Sequence, residues 1–185
     1  MFRSVLAIAL LAAPAAAAAA QDKEMGDWAL ARMPNGCMVQ AVSPQGTMLS
    51  IWGFAGQEKL GFLLQNREWS ALRDGERYAL DLEFVGVKAV PVEATAREHI
   101  DSDGPGFFFT FDPGGPDARA FLDALASAAD MKISQGGRAM DSLPLEGSRG
   151  AMAALARCLS EQWSGGEAPA AEPDAEQAKE EAVPL

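Results

Sequence analysis

Apolar side chains recur at every second residue through most of the stretch from Asp27 to Phe111 and then switch to helical spacing. That order commits the chain to a large sheet followed by helices. Arg77 to Val85 shows the alternation most clearly. Tyr78, Leu80, Leu82 and Phe84 share one side, while Arg77, Asp81 and Glu83 share the other. This is the pattern of a strand with one face in a core and one in water. Asp27 to Arg32 places Trp28 and Leu30 together, and the turn Pro34-Asn35-Gly36 leads into Cys37 to Val42 as a hairpin. A second turn, Ser43-Pro44-Gln45-Gly46, opens Thr47 to Phe54, which is apolar on both faces. Such a strand is expected at a central position covered from two sides.

Leu60, Phe62 and Leu64 define the next strand, and Asn66 to Gly75 follows with Trp69 and Leu72. Val87 to Val92 contains Pro91, which assigns it to a sheet edge because proline cannot donate to a ladder. In Gly106 to Phe111, alternation sends Phe107, Phe109 and Phe111 one way and Phe108 the other. A run this apolar reads as a strand buried on both faces. An exposed Phe108 would instead form a binding patch.

The last part changes period. Asp117 to Ala129 carries Ala118, Phe121, Leu122, Leu125 and Ala129 on one helical stripe, with Asp117 as N-cap. Asp130 to Ser134 and Arg138 to Leu143 flank Gln135-Gly136-Gly137, a hairpin signal. Ser148 then caps a helix to about Gln162, with Ala151, Leu155, Cys158, Leu159 and Trp163 along one side. The fold class expected is α+β, a mainly antiparallel sheet with two helices in the C-terminal third.

The two ends read differently from the middle. Met1 to Ala20 has a basic residue, Arg3, a short apolar run from Val5 to Ala13, then Pro14 and alanines offering A-x-A cleavage sites. This is the pattern of a secretory signal peptide cleaved near Ala20. The apolar run falls short of the ~20 residues needed to span a bilayer. From Ser164 onward, Glu167, Glu172, Asp174, Glu176, Glu180 and Glu181 face only Lys179 among Ala and Pro, so a solvated acidic tail is expected. The organisation is therefore residues 1–20 signal peptide, 21–163 one globular domain and 164–185 tail. The expected location is periplasmic or secreted in a Gram-negative bacterium. Export places Cys37 and Cys158 in an oxidising compartment, where they are the one available disulfide pair; two buried free thiols are the alternative.

Charge and composition narrow the function. A formal charge of -11 disfavours nucleic acid and anionic membrane as partners. Two cysteines and one histidine, His99, leave no Cys₄ or His-rich metal site, and no CxxC redox motif occurs. Gly147-Ser148-Arg149-Gly150 resembles a nucleophile elbow, but Glu146 replaces its first glycine, and a cap accounts for Ser148. Asp101, Asp103 and Asp112 fall at the first, third and twelfth positions of a calcium-loop pattern that Pro105 breaks at the fifth. Turn chemistry is the preferred account of that segment. His99, Asp101 and Asp103 also form the one cluster suited to a carboxylate hydrolase or to a binding loop. Trp28, Trp52 and Trp69 fit either a sugar or peptide groove or a core. No cofactor motif is present.

The leader, Trp28, Cys37-Met38-Val39, and Leu143-Pro144-Leu145-Glu146-Gly147-Ser148 followed by an Ala-rich helix with Cys158 resemble small exported alphaproteobacterial proteins of the invasion-associated locus B type. The resemblance covers the leader and the two cysteine-bearing ends. It implies a periplasmic β-rich domain without known catalysis that interacts with envelope components or a host. The functional expectation is an exported, non-catalytic binding module whose partner is another envelope or extracellular protein, without stable membrane insertion. Inhibitors, chaperone-like factors and envelope scaffolds are the natural subclasses. Edges near Pro91 and the loop His99 to Gly106 are its expected contact points. A carboxylate-dependent periplasmic hydrolase and a calcium-stabilised structural domain are the alternatives.

Overall fold

The computed structural model describes residues 25–85, 90–98, 104–112 and 114–165. The expected leader and all but the first two residues of the expected tail lie outside them. The described strands are β1 (Ala29–Met33), β2 (Gly36–Val42), β3 (Met48–Phe54), β4 (Leu60–Gln65), β5 (Arg77–Phe84), β6 (Val90–Arg97), β7 (Gly106–Phe111), β8 (Asp130–Gln135) and β9 (Arg138–Pro144). They form one sheet in the order β1-β2-β3-β4-β7-β6-β5-β8-β9, antiparallel throughout. Helix α1 (Pro116–Ser127) connects β7 to β8, and α2 (Ser148–Gly165) follows β9. The fold is α+β, as the change of period predicts; of the two helices only α2 lies wholly in the last third of the chain.

The sheet curls around its own core. Ser43, just past β2, donates from its hydroxyl to Asp141 Oδ2 on β9 at 3.0 Å. In a flat sheet of this order those strands would stand roughly 34 Å apart at ~4.8 Å per strand. Both helices lie on the inner face. Phe121 of α1 meets Phe62, Phe84 and Phe109 edge-on with ring centroids 5.3, 5.5 and 6.4 Å away, and it is fully buried. Edge-to-face contact is the favoured geometry for such rings. Helix α2 buries Ala151, Ala154, Leu155, Cys158 and Leu159. Gly53 lets it approach, because a Cβ there would sit 2.9 Å from Leu159 Cδ1. Cys37 and Cys158 are disulfide-bonded with Cα atoms 6.1 Å apart, which ties β2 to α2 across 121 residues of sequence.

Several local expectations change. Pro91 lies on β6, an interior strand, opposite Asp81 of β5. It is tolerated because β7 pairs with β6 only at Thr95 to Arg97, so the first half of β6 has a neighbour on one side alone. β3 has the helices on its inner face only, and its outward positions Met48, Trp52 and Phe54 are half-buried while Ser50 is buried. Gly115, with no side-chain cap bond, precedes α1 in place of Asp117. Ser148 is the first residue of α2, and its buried hydroxyl donates to Leu125 O at 2.7 Å, pinning the start of α2 to the end of α1. Trp163 is exposed, not on the packed side of α2.

Candidate functional site

A sheet wrapped around helices presents its second face to the outside, and the residues on that face divide into two zones. Register fixes which side chains point outward, because each strand's buried set faces the helices. Over β5, β6 and β8 the outward positions include Arg77, Asp81, Glu83, Glu93, Arg97 and Lys132. Over β1, β2, β3, β4 and β7 the outward positions are Ala29, Ala31 and Met33; Gly36, Met38, Gln40 and Val42; Met48, Ser50, Trp52 and Phe54; Gly61, Leu63 and Gln65; and Gly106, Phe108 and Thr110. None of these carries a charge. Charged residues make up 22% of the chain, so a five-strand face without one is a marked departure for a surface.

The aromatic groups on this face lie low. Trp52 pairs across the ladder with Gly61, and a Cβ on Gly61 would overlap the indole. The ring therefore rests over the glycine backbone, as aromatics do when they cover strand glycines. Trp52 also stacks on Phe108, with centroids 5.8 Å apart and planes inclined by 26°. Trp52 and Phe108 are half-buried, Ser50, Leu63 and Gln65 of the same face are buried, and Val42, at the opposite end of β2 from Trp52's partner Met38, is 57% exposed. Three polar members of the face, Gln40, Ser50 and Gln65, are bonded within the chain. Gln40 Nε2 donates to Ser50 Oγ at 3.0 Å, and Gln65 Nε2 donates to Gly104 O at 3.3 Å.

A second feature lies where the β2–β3 turn, the β4–β5 loop and β9 meet. A cleft of about 400 Å³ is lined by Gln45, Glu68, Trp69, Gln135, Arg138 and Asp141, among others. Its floor is a hydrogen-bond network. The Ser43 hydroxyl accepts from the backbone N–H of Gln45 and Thr47 at 3.2 and 3.0 Å while donating to Asp141. Asn66 Nδ2 donates to Thr47 Oγ1 at 2.8 Å, and Asn66 Oδ1 accepts from Glu68 N–H at 2.8 Å. These bonds join two loops and strand β9, which the sheet's own ladder leaves apart. The network closes the fold, as buried polar groups must find partners to be tolerated.

The residues singled out in the sequence are dispersed. Cys37 and Cys158 come together as the disulfide. His99, Asp101 and Asp103 lie outside the described residues. Asp112 sits beyond the far end of β7 from Gly104, across a strand of roughly 17 Å. It accepts from Gly114 N–H at 2.8 Å in the turn that leads to α1. Phe108 faces outward, half-buried rather than enclosed on both sides. Trp28 is in the core, Trp52 is on the outer face and Trp69 is at the cleft, so the three do not line one groove. Ser148 is buried and hydrogen-bonded, which leaves no nucleophile at the elbow-like segment. Among the described residues, no three of His, Cys, Asp and Glu gather into a metal-holding group, and no helix is long and apolar enough to cross a membrane.

The uncharged face was not singled out from the sequence. Its signal was there in Thr47 to Phe54, whose second apolar side reads equally as core or as contact surface. Comparison with known proteins gave no match to a protein family, to a curated protein or to a solved structure.

Proposed function

We propose that this chain is an exported, non-catalytic interaction module of the bacterial envelope, acting as an inhibitor, chaperone-like factor or scaffold subunit. Its contact surface is the uncharged outer face of β1, β2, β3, β4 and β7. The observation that carries this reading is the absence of charge from that face, with Trp52 on its middle strand β3 stacked on Phe108 of its border strand β7. Depletion of charge and enrichment in Trp, Phe and Met mark the centres of protein interfaces. Periplasmic or secreted placement is supported by the signal-like leader and by the disulfide, since disulfides persist in oxidising compartments. The resemblance of the cysteine-bearing ends to exported proteins of the invasion-associated locus B type supports the same placement.

The test compares the wild-type chain with Phe108→Glu as bait against a solubilised envelope fraction. A partner held by the wild type and lost by a variant of unchanged melting temperature is the expected result. Equal capture by both, or turnover of a defined substrate by the purified chain, would overturn the reading.

A further inference from the structure

Among the described residues the sheet ends on β1 and β9, and an unpaired strand edge is a template for another strand. The β8–β9 register shows which backbone groups of β9 are left over. Leu145 N–H donates to Ala129 O at 2.7 Å, and the ladder sets Leu143 against Met131 and Asp141 against Ile133 in the same phase. Antiparallel strands exchange bonds at every second residue, so Asp141, Leu143 and Leu145 turn their N–H and C=O toward β8. Ser142 and Pro144 lie between them and turn theirs to the free edge. Neither offers a donor there. Ser142 N–H is taken at 2.7 Å by Oδ1 of the residue before it, Asp141. Pro144 has no N–H. The other oxygen of Asp141, Oδ2, accepts from the buried Ser43 hydroxyl at 3.0 Å. A strand arriving at this edge would bring a carbonyl toward Ser142 N–H and meet a carboxylate oxygen already in place, acceptor against acceptor. β1, at the other margin, is covered by different means: α2 packs beside it, and Glu161 of α2 binds Arg32 at 2.7 Å.

We propose that Asp141 and Pro144 guard the β9 edge, keeping the sheet of one copy from extending into that of another by strand pairing. This edge is distinct from the uncharged outer face, and closing it leaves contact through that face possible. Opened, the edge would pair with its own copy antiparallel across a two-fold axis. Such pairing stops at two copies, because it consumes β9 and β1 stays covered by α2. Asp141 has one task on each oxygen, and substitution separates them. Ser43→Ala removes the tie to Oδ2 and the acceptor for Gln45 and Thr47 N–H, which loosens the same region. It leaves the bond from Ser142 N–H to Oδ1, which needs only the adjacent residue. Asp141→Val with Pro144→Val returns both outward donors to the edge.

Sedimentation velocity over a concentration series compares the full wild-type chain with Ser43→Ala, Pro144→Val and Asp141→Val/Pro144→Val, with melting temperature as the check on folding. Two restored donors per copy should tighten association of the double variant at least roughly tenfold over the wild type. Its mass should rise toward two copies, and amide exchange at positions 142 and 144 should slow as it does. Pro144→Val alone should associate more than the wild type and less than the double variant. Ser43→Ala should sediment as the wild type does. A folded double variant that also sediments like the wild type overturns the inference. Equal association by Ser43→Ala overturns it too, because a loosened fold would then be the cause. Association that leaves the amides at 142 and 144 unprotected places the contact elsewhere and has the same consequence. If the double variant does not fold, Pro144→Val decides, since position 144 is exposed: association no greater than that of the wild type refutes the guard.

Discussion

Replacing both cysteines by alanine removes the covalent tie between β2 and α2, and the size of the effect follows from where the tie sits. It closes a loop of 121 residues, nearly the whole folded unit. In the chain-entropy account a loop of about that length loses close to 5 kcal/mol of unfolded-state freedom at 25 °C. At roughly 3–4 °C per kcal/mol for a domain of this size, the melting temperature should fall by about 15–20 °C. Urea unfolding of Cys37→Ala/Cys158→Ala should show a larger m-value as well as a lower midpoint, because the freed unfolded chain exposes more surface. Both cysteines are almost fully enclosed, at 0% and 1% exposure. Reductant should therefore act only on opened molecules, and thiol release followed by mass spectrometry should track unfolding. A double variant melting within about 3 °C of the wild type would refute the reasoning. So would rapid reduction of the native protein without denaturant.

Three further outcomes test the packing. Asn66→Ala should cost about 2–3 kcal/mol in urea unfolding, because it strips buried Thr47 of a donor and Glu68 N–H of its acceptor. Trp28→Phe should stay within about 1 kcal/mol of wild type: the buried Trp28 Nε1 has no hydrogen-bond partner, so deleting it recovers a desolvation cost that offsets lost contact. Gly147→Ala should lower stability by at least about 2 kcal/mol, since its φ of +82° disfavours a side chain and a Cβ would overlap the Met25 carbonyl.

Fold class and most strand positions were legible because both rest on short-range periodicity. β5 is the clearest case, its burial alternating along Arg77–Phe84 as its sequence does. Turn chemistry was equally local: Asn35 takes φ +59° and Gly136 and Gly137 take +56° and +77°, as tight turns of this kind demand. What periodicity does not carry is neighbour identity. Pro91 marks a local edge correctly, yet the strand is interior, because β7 pairs with only the last residues of β6. The curl of the sheet is equally hidden. It shows in Ser43 reaching Asp141 across 98 residues, a contact between side chains whose sequence surroundings are unremarkable turn and strand.

The candidate site was illegible for a different reason. A strand apolar on both sides has two explanations with the same sequence pattern, burial under a second layer or exposure to a partner, and alternation cannot separate them. Only the sheet order shows that β1, β2, β3, β4 and β7 are contiguous and that their outward sets join into one uncharged surface. The same order places both helices on the other face, where they take the core. Stability of the fold therefore draws chiefly on the inner face, with Phe121 at its centre, and on the Cys37–Cys158 tie. Substitution of an outward residue such as Thr110 can then change association while leaving folding nearly untouched. Two neighbours on one ladder make the contrast measurable: Phe109→Ala, on the inner face, should lower stability by about 3–5 kcal/mol, whereas Thr110→Glu should change it by no more than about 0.5 kcal/mol. Equal losses at the two positions would mean that the outer face is held by packing rather than reserved for contact.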